Sequence, residues 1–299
     1  MTIRSRDLRR YAQAGHHRFD SLEAFTAAPI KPGVSSVLIN NRWLDLRFED
    51  RGSDTTLVYF HAALPATWDT YPFFGGSGLF KGVSANYLAL SDPLIGARES
   101  LATGWFAGSR RVGSQAVLPK VIDHAAETGG GHRLLFFGAS AGGFAALYYS
   151  ARFAGSVAVV VNPVTDIKQP EQIFPLYSAA AWEGLDEAGI LRRIESSVVD
   201  LYARGTSNTV IYLQNLQDPT YVWGHLRPFL ISNPGRSNIH LRLGTWGRGH
   251  VVPPKEVMRE AVDLLLEADS DCGGGLDPKL YRRSPTAEYL LAELSGAQA

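Results

Sequence analysis

From about residue 34 onward, short runs of β-branched and aromatic residues alternate with longer helix-like stretches, and this order is what most restricts the fold. A chain that leaves a strand, crosses through a helix and returns to a strand builds a largely parallel sheet with helices on its faces. Eight candidate strands stand out: Ser36-Val-Leu-Ile, Trp43-Leu-Asp-Leu-Arg-Phe, Thr56-Leu-Val-Tyr-Phe, Tyr87-Leu-Ala-Leu, Arg133-Leu-Leu-Phe-Phe, Val157-Ala-Val-Val-Val, Thr209-Val-Ile-Tyr-Leu and Ile239-His-Leu-Arg-Leu. The later runs are almost unbroken apolar stretches, as expected of central strands covered on both faces, whereas 43–48 alternates in the manner of an edge strand. The expected class is therefore α/β, with one mostly parallel sheet of about eight strands and helices on both faces spanning 34–267. Residues 1–33 read as an N-terminal extension and 268–299 as a C-terminal tail with a short helix near 286–294. Between the sixth and seventh strands, 166–207 carries two helical patterns, 171–182 and 185–203. That is more than a simple crossover needs, so a small helical cap over one end of the sheet is predicted.

Charge and cysteine usage narrow the classes of function. Lys and Arg number 29 and Asp and Glu also 29, so no overall positive field exists to hold a nucleic-acid backbone. The basic N-terminus continues into Tyr11-Ala-Gln-Ala-Gly-His-His-Arg rather than the apolar core of an export signal, and no run of about 18 uncharged apolar residues occurs. A cytoplasmic protein without a membrane span is expected. The single cysteine, Cys272, makes neither an internal disulfide nor a multi-thiolate zinc site. No H-E-x-x-H spacing is present either, so the expected chemistry uses no metal and no cofactor.

The most informative motif is Gly138-Ala139-Ser140-Ala141-Gly142, placed directly after the fifth candidate strand and before Phe144-Ala-Ala-Leu-Tyr-Tyr-Ser-Ala-Arg, which reads as a helix. A serine on a tight strand-to-helix turn is held exposed and strained, and glycines two positions either side relieve the crowding where strand and helix nearly touch. The N–H after the serine and the start of the helix then face developing negative charge. The alternatives are a serine that merely caps the helix, or a nucleotide-binding loop. Against the latter, the next strand ends Val-Val-Val-Asn162-Pro163 rather than in an acid, and no Gly-Lys-Ser/Thr follows the glycines.

On these residues the chain resembles the α/β-hydrolase fold family over roughly 34–267. The resemblance implies a nucleophilic serine, then an acid after a late strand, then a histidine after the last strand. Asp218 follows Thr209-Val-Ile-Tyr-Leu-Gln-Asn-Leu-Gln, and His250 lies in Gly244-Thr-Trp-Gly-Arg-Gly-His-Val-Val-Pro-Pro. Ser140, His250 and Asp218 are accordingly the expected catalytic set. Asp166, after the sixth strand, is the rival acid, at a position some members of the family use. Phe60-His61-Ala62-Ala63-Leu64-Pro65 resembles the family's oxyanion loop, with Ala62 where glycine is usual. Ala63 and Ala141 are the expected N–H donors, and His61 reads as structural. Trp68, Trp105 and Tyr177 are candidate pocket residues. The implied activity is cleavage of a small or medium acyl ester through an acyl-enzyme. An acyltransferase, thioesterase or amidase of the same chemistry, or a non-catalytic binding protein of this fold, stands as the alternative.

Overall fold

The computed structural model describes residues 4–96, 101–169, 171–267 and 281–283. Its strands are β1 (Ser5–Arg6), β2 (His16–Phe19), β3 (Gly33–Ile39), β4 (Arg42–Glu49), β5 (Thr55–Phe60), β6 (Thr70–Tyr71), β7 (Asn86–Leu90), β8 (Arg133–Ala139), β9 (Val157–Val161), β10 (Thr209–Asn215), β11 (Ile239–Gly244) and β12 (Arg282–Arg283). Ten of them form one sheet in the order β12-β11-β10-β9-β8-β5-β7-β4-β3-β2, while β1 and β6 pair separately. The run β7, β5, β8, β9, β10, β11 is parallel. At one side β3 and β4 form an antiparallel hairpin, closed by Asn40 and Asn41. Both residues have positive φ, 45° and 65°, the geometry a two-residue turn between twisted strands demands and one asparagine tolerates.

All eight expected strands are present, and the sheet is larger by two. The N-terminal segment 1–33 is not merely an extension, because β2 pairs parallel with β3 and becomes the edge. Segment 43–48 is therefore an inner strand, two places from the edge, contrary to its alternating pattern. The polar residue responsible, Asp45, is buried and takes the Arg6 guanidinium through both oxygens (2.5 and 3.1 Å). The sequence alternates there because the chain supplies its own counter-ion from the N-terminal arm.

Helices cover both faces. Helix α1 (Leu22–Thr26) is short; α2 (Ser114–Thr128) and α3 (Ala141–Ser150) pack one face, and α3 is buried at all ten positions, as a helix apolar around its circumference must be. Between β9 and β10 lie α4 (Phe174–Ala181), α5 (Glu187–Leu191) and α6 (Val198–Ala203). Phe174, Tyr177, Trp182, Ile190, Val198 and Tyr202 join the same core cluster as α2 and α3, so this segment packs largely as part of the domain. After β10 come α7 (Pro219–Tyr221), a π-helical turn at Val222–Leu226 and α8 (Arg227–Ile231). Helix α9 (Lys255–Glu267) covers the opposite face, where Ala261, Val262 and Leu265 meet Val157, Val159, Ile211 and Leu213. Cys272 and the expected helix at 286–294 lie outside the described residues. Among the described residues no helix is long and apolar enough to cross a membrane.

Candidate active site

The parallel strands β5, β8, β9, β10 and β11 all end on one side of the molecule, where open α/β sheets bind their ligands. Ser140 stands between β8 and α3 with φ 51° and ψ −115°. This is a conformation that non-glycine residues hold only when their surroundings enforce it. Its N–H donates to Val161 O at 2.9 Å, its carbonyl accepts from Val164 N at 3.0 Å, and the strand on one side and helix on the other complete the clamp. Two glycines are obligatory here: a Cβ on Gly138 would lie 2.0 Å from Gly142 O, and one on Gly142 would lie 2.3 Å from Phe60 O. The second contact shows how closely the loop after β5 passes the first turn of α3. Helix geometry leaves the Ala141 N–H at that turn without an intrahelical acceptor.

Asp218 and His250 come together as expected. His250 Nδ1 lies 2.7 Å from Asp218 Oδ2, and the carboxylate is almost wholly buried, at 4% side-chain exposure, against 37% for the imidazole. With Nδ1 engaged by the carboxylate, Nε2 is the nitrogen left for proton exchange. Asp166 is elsewhere engaged: its Oδ1 accepts from Lys168 N at 2.9 Å, and burial raises its pKa.

Two asparagines to which the sequence alone gives no structural role brace these loops. Asn215, the last residue of β10, donates through Nδ2 to Gly247 O (2.7 Å) and Gly249 O (2.9 Å), and its Oδ1 accepts from Trp246 N (3.0 Å). Asn162, at φ 39° just beyond β9, accepts from Asn215 N (2.7 Å) and donates to Val251 O (2.9 Å). Gly249 N adds a bond to Gln217 O at 2.8 Å. The acid loop and the histidine loop are thus fastened to each other. An asparagine ending an apolar strand was the available signal, since Asn is depleted in strands.

Tyr221 is the other residue the sequence reading missed. Its N–H donates to Asp218 Oδ1 at 3.3 Å, its ring stacks on the His250 imidazole with centroids 3.8 Å apart and planes 23° apart, and its hydroxyl lies 3.1 Å from Ser140 Oγ. Among the described residues this hydroxyl is the hydrogen-bond partner of the serine side chain. Burial raises the phenol's pKa, with the Ser140 hydrogen bond acting the other way. Behind it, the His225 ring lies 4.8 Å away. His225 Nδ1 accepts from Thr165 N at 3.2 Å, and burial, helped by the nearby His250, lowers its pKa to about 4.

His61 is structural, as expected: Nδ1 donates to Ala62 O (2.8 Å), Nε2 accepts from Asp92 N (3.1 Å), and full burial lowers its pKa. Ala141 is buried and Ala63 exposed. Trp68 is half-buried against Phe73, which packs edge-on to His61. Trp105 and Tyr177 depart from the expectation of a pocket wall. Both are closed to solvent and packed edge to face, and the Tyr177 hydroxyl donates to Gly108 O at 2.8 Å while accepting from Trp182 Nε1. Large rings that fill a core look the same in sequence as rings that line a cleft. Among the described residues no cluster of His, Cys, Asp and Glu is arranged to hold a metal ion.

The strand order and the serine turn define the class: the chain has the α/β-hydrolase fold. No protein-family model and no curated protein sequence matches it. Among solved structures it is similar to a puromycin hydrolase, with TM-score 0.55 and 19% identity over 78% of this chain and 38% of that one. It is also similar to a puromycin-hydrolyzing peptidase of Mycobacterium tuberculosis (TM-score 0.52, 14% identity, 78% and 38% of the chains). A third is prolyl oligopeptidase B of Galerina marginata (0.50, 15%, 78% and 36%). The chain thus spans little more than a third of the length of each of these proteins.

Proposed function

We propose that the protein is a serine hydrolase that cleaves small or medium carboxylic esters through an acyl-enzyme. The observation that carries this reading is the 2.7 Å bond between His250 Nδ1 and the buried Asp218 carboxylate, built on loops that flank a serine in a left-handed strand-to-helix turn. Ser140 Oγ attacks the acyl carbon and His250 Nε2 takes its proton. Asp218 holds the ring tautomer and stabilises the imidazolium that forms. The N–H groups of Ala141 and Ala63 receive the oxyanion.

A second reading is an amide substrate, favoured by the puromycin hydrolase and the peptidases among the similar folds. A panel of acyl esters of graded chain length, with acyl amides alongside, separates the two. Ser140→Ala should lower kcat by roughly 10⁴- to 10⁶-fold while Tm barely moves, and should abolish labelling by a fluorophosphonate. Turnover or labelling retained in that variant would remove Ser140 as nucleophile.

A further inference from the structure

A single residue touches all three members of the proposed triad. Tyr221 reaches Asp218 with its backbone, His250 with its ring face and Ser140 with its hydroxyl. The first contact follows from position: Asp218 caps the short helix that Tyr221 ends, so the carboxylate that orients His250 also fixes where the tyrosine begins. His225, set in the π-helical turn that follows, backs the phenol ring.

We propose that Tyr221 is a further catalytic residue, whose phenol donates a hydrogen bond to Ser140 Oγ as that oxygen leaves the acyl group during deacylation. The inference rests on the serine-hydrolase reading. In deacylation, water adds to the acyl carbonyl while His250 Nε2 takes its proton. The tetrahedral intermediate then breaks its bond to Ser140 Oγ, which departs with the electron pair. The imidazolium returns the proton to that oxygen, releasing the carboxylic acid and the free serine. The phenol keeps its own proton throughout.

The timing follows from how well Oγ accepts at each stage. In the free enzyme Oγ is a hydroxyl oxygen and already a good acceptor, so the phenol stabilises the ground state of acylation about as much as its transition state. In the acyl-enzyme Oγ is an ester oxygen, a poor acceptor, and it gains negative charge only as its bond to carbon breaks. An interaction stronger in the transition state than in the ground state is what accelerates a step, and here that condition is met in deacylation alone. Burial keeps the phenol protonated at neutral pH, so the donor is always present.

Tyr221→Phe removes the hydroxyl and keeps the ring that stacks on His250. With p-nitrophenyl acetate, whose activated leaving group makes acylation fast, the pre-steady-state burst should keep its rate constant within about threefold. The steady-state phase should slow roughly 10- to 100-fold. Because only the second step changes, kcat and KM should fall together with kcat/KM unaltered, and the acetyl-enzyme should accumulate, visible by intact mass. A variant whose burst and steady state both match the wild type, or in which kcat/KM falls in step with kcat, would overturn the proposal. A wild-type protein that neither turns over the ester nor reacts with a fluorophosphonate would instead remove the reading beneath it.

Discussion

Asp218 receives two donors, His250 Nδ1 at one oxygen and Tyr221 N at the other, while Asp166 is spent on Lys168. Asp218→Asn should therefore lower kcat by about 10⁴-fold, because the amide presents the wrong partner to Nδ1 and selects the wrong tautomer. Asp166→Asn should change kcat little, and the opposite ranking in steady-state assays would transfer the acid role to Asp166. The proposed set of Ser140, His250 and Asp218 could be picked out in the sequence because each sits where a strand gives way to a loop, in the chain order that the resemblance implies. Tyr221 was not. Pro219-Thr-Tyr221 reads as an ordinary helix start, and its contact with Ser140 spans 81 positions, a relation that local pattern does not carry. Trp105 and Tyr177 were misjudged for the converse reason, since burial depends on what the rest of the chain packs over a ring.

At the scale of elements, the eight strands of the central α/β unit were legible because their runs are either continuously apolar, as in Val157–Val161, or alternate with period two, as in Ile239-His-Leu-Arg-Leu. The edge strand β2 was not, because His16-His-Arg-Phe19 is four residues long and mostly polar, and its partner β3 is what makes it a strand. The π-helical turn after α7 has a consequence for pH. It holds His225 nearly closed to solvent, facing His250 and Asp218, with a pKa lowered to about 4, below the ordinary value of about 6.5. Between those values the unfolded chain binds a proton that the folded protein refuses, so stability must rise with pH across that window. From this group alone, stability at pH 7 should exceed that at pH 4 by roughly 3 kcal/mol. Urea midpoints measured at several pH values should show that slope, and His225→Gln should reduce it. An unchanged slope would mean that His225 charges as readily in the folded protein as outside it.

For the molecule as a whole, the N-terminal arm is a working part of the architecture. Arg4 is buried, and its guanidinium donates to four backbone carbonyls, Leu101 (2.5 Å), Trp68 (2.9 Å), Ile95 and Pro65 (both 3.4 Å). It thereby ties the loop after β5, which supplies Ala63, to the loop after β7. Arg4→Ala leaves those carbonyls without their donor and should lower stability by about 2 to 4 kcal/mol; a urea midpoint equal to the wild type's would show that water replaces the guanidinium without loss. The arm also bears on how the chain comes to be folded. The carbonyls that hold Arg4 lie 61 to 97 positions further on, and synthesis at about 5 to 20 residues per second takes roughly 5 to 20 s to deliver the last of them. Until then the Arg4 guanidinium lacks part of the set of carbonyls that holds it in the finished protein. Arg4 is thus seated only after the chain 97 positions beyond it has been made.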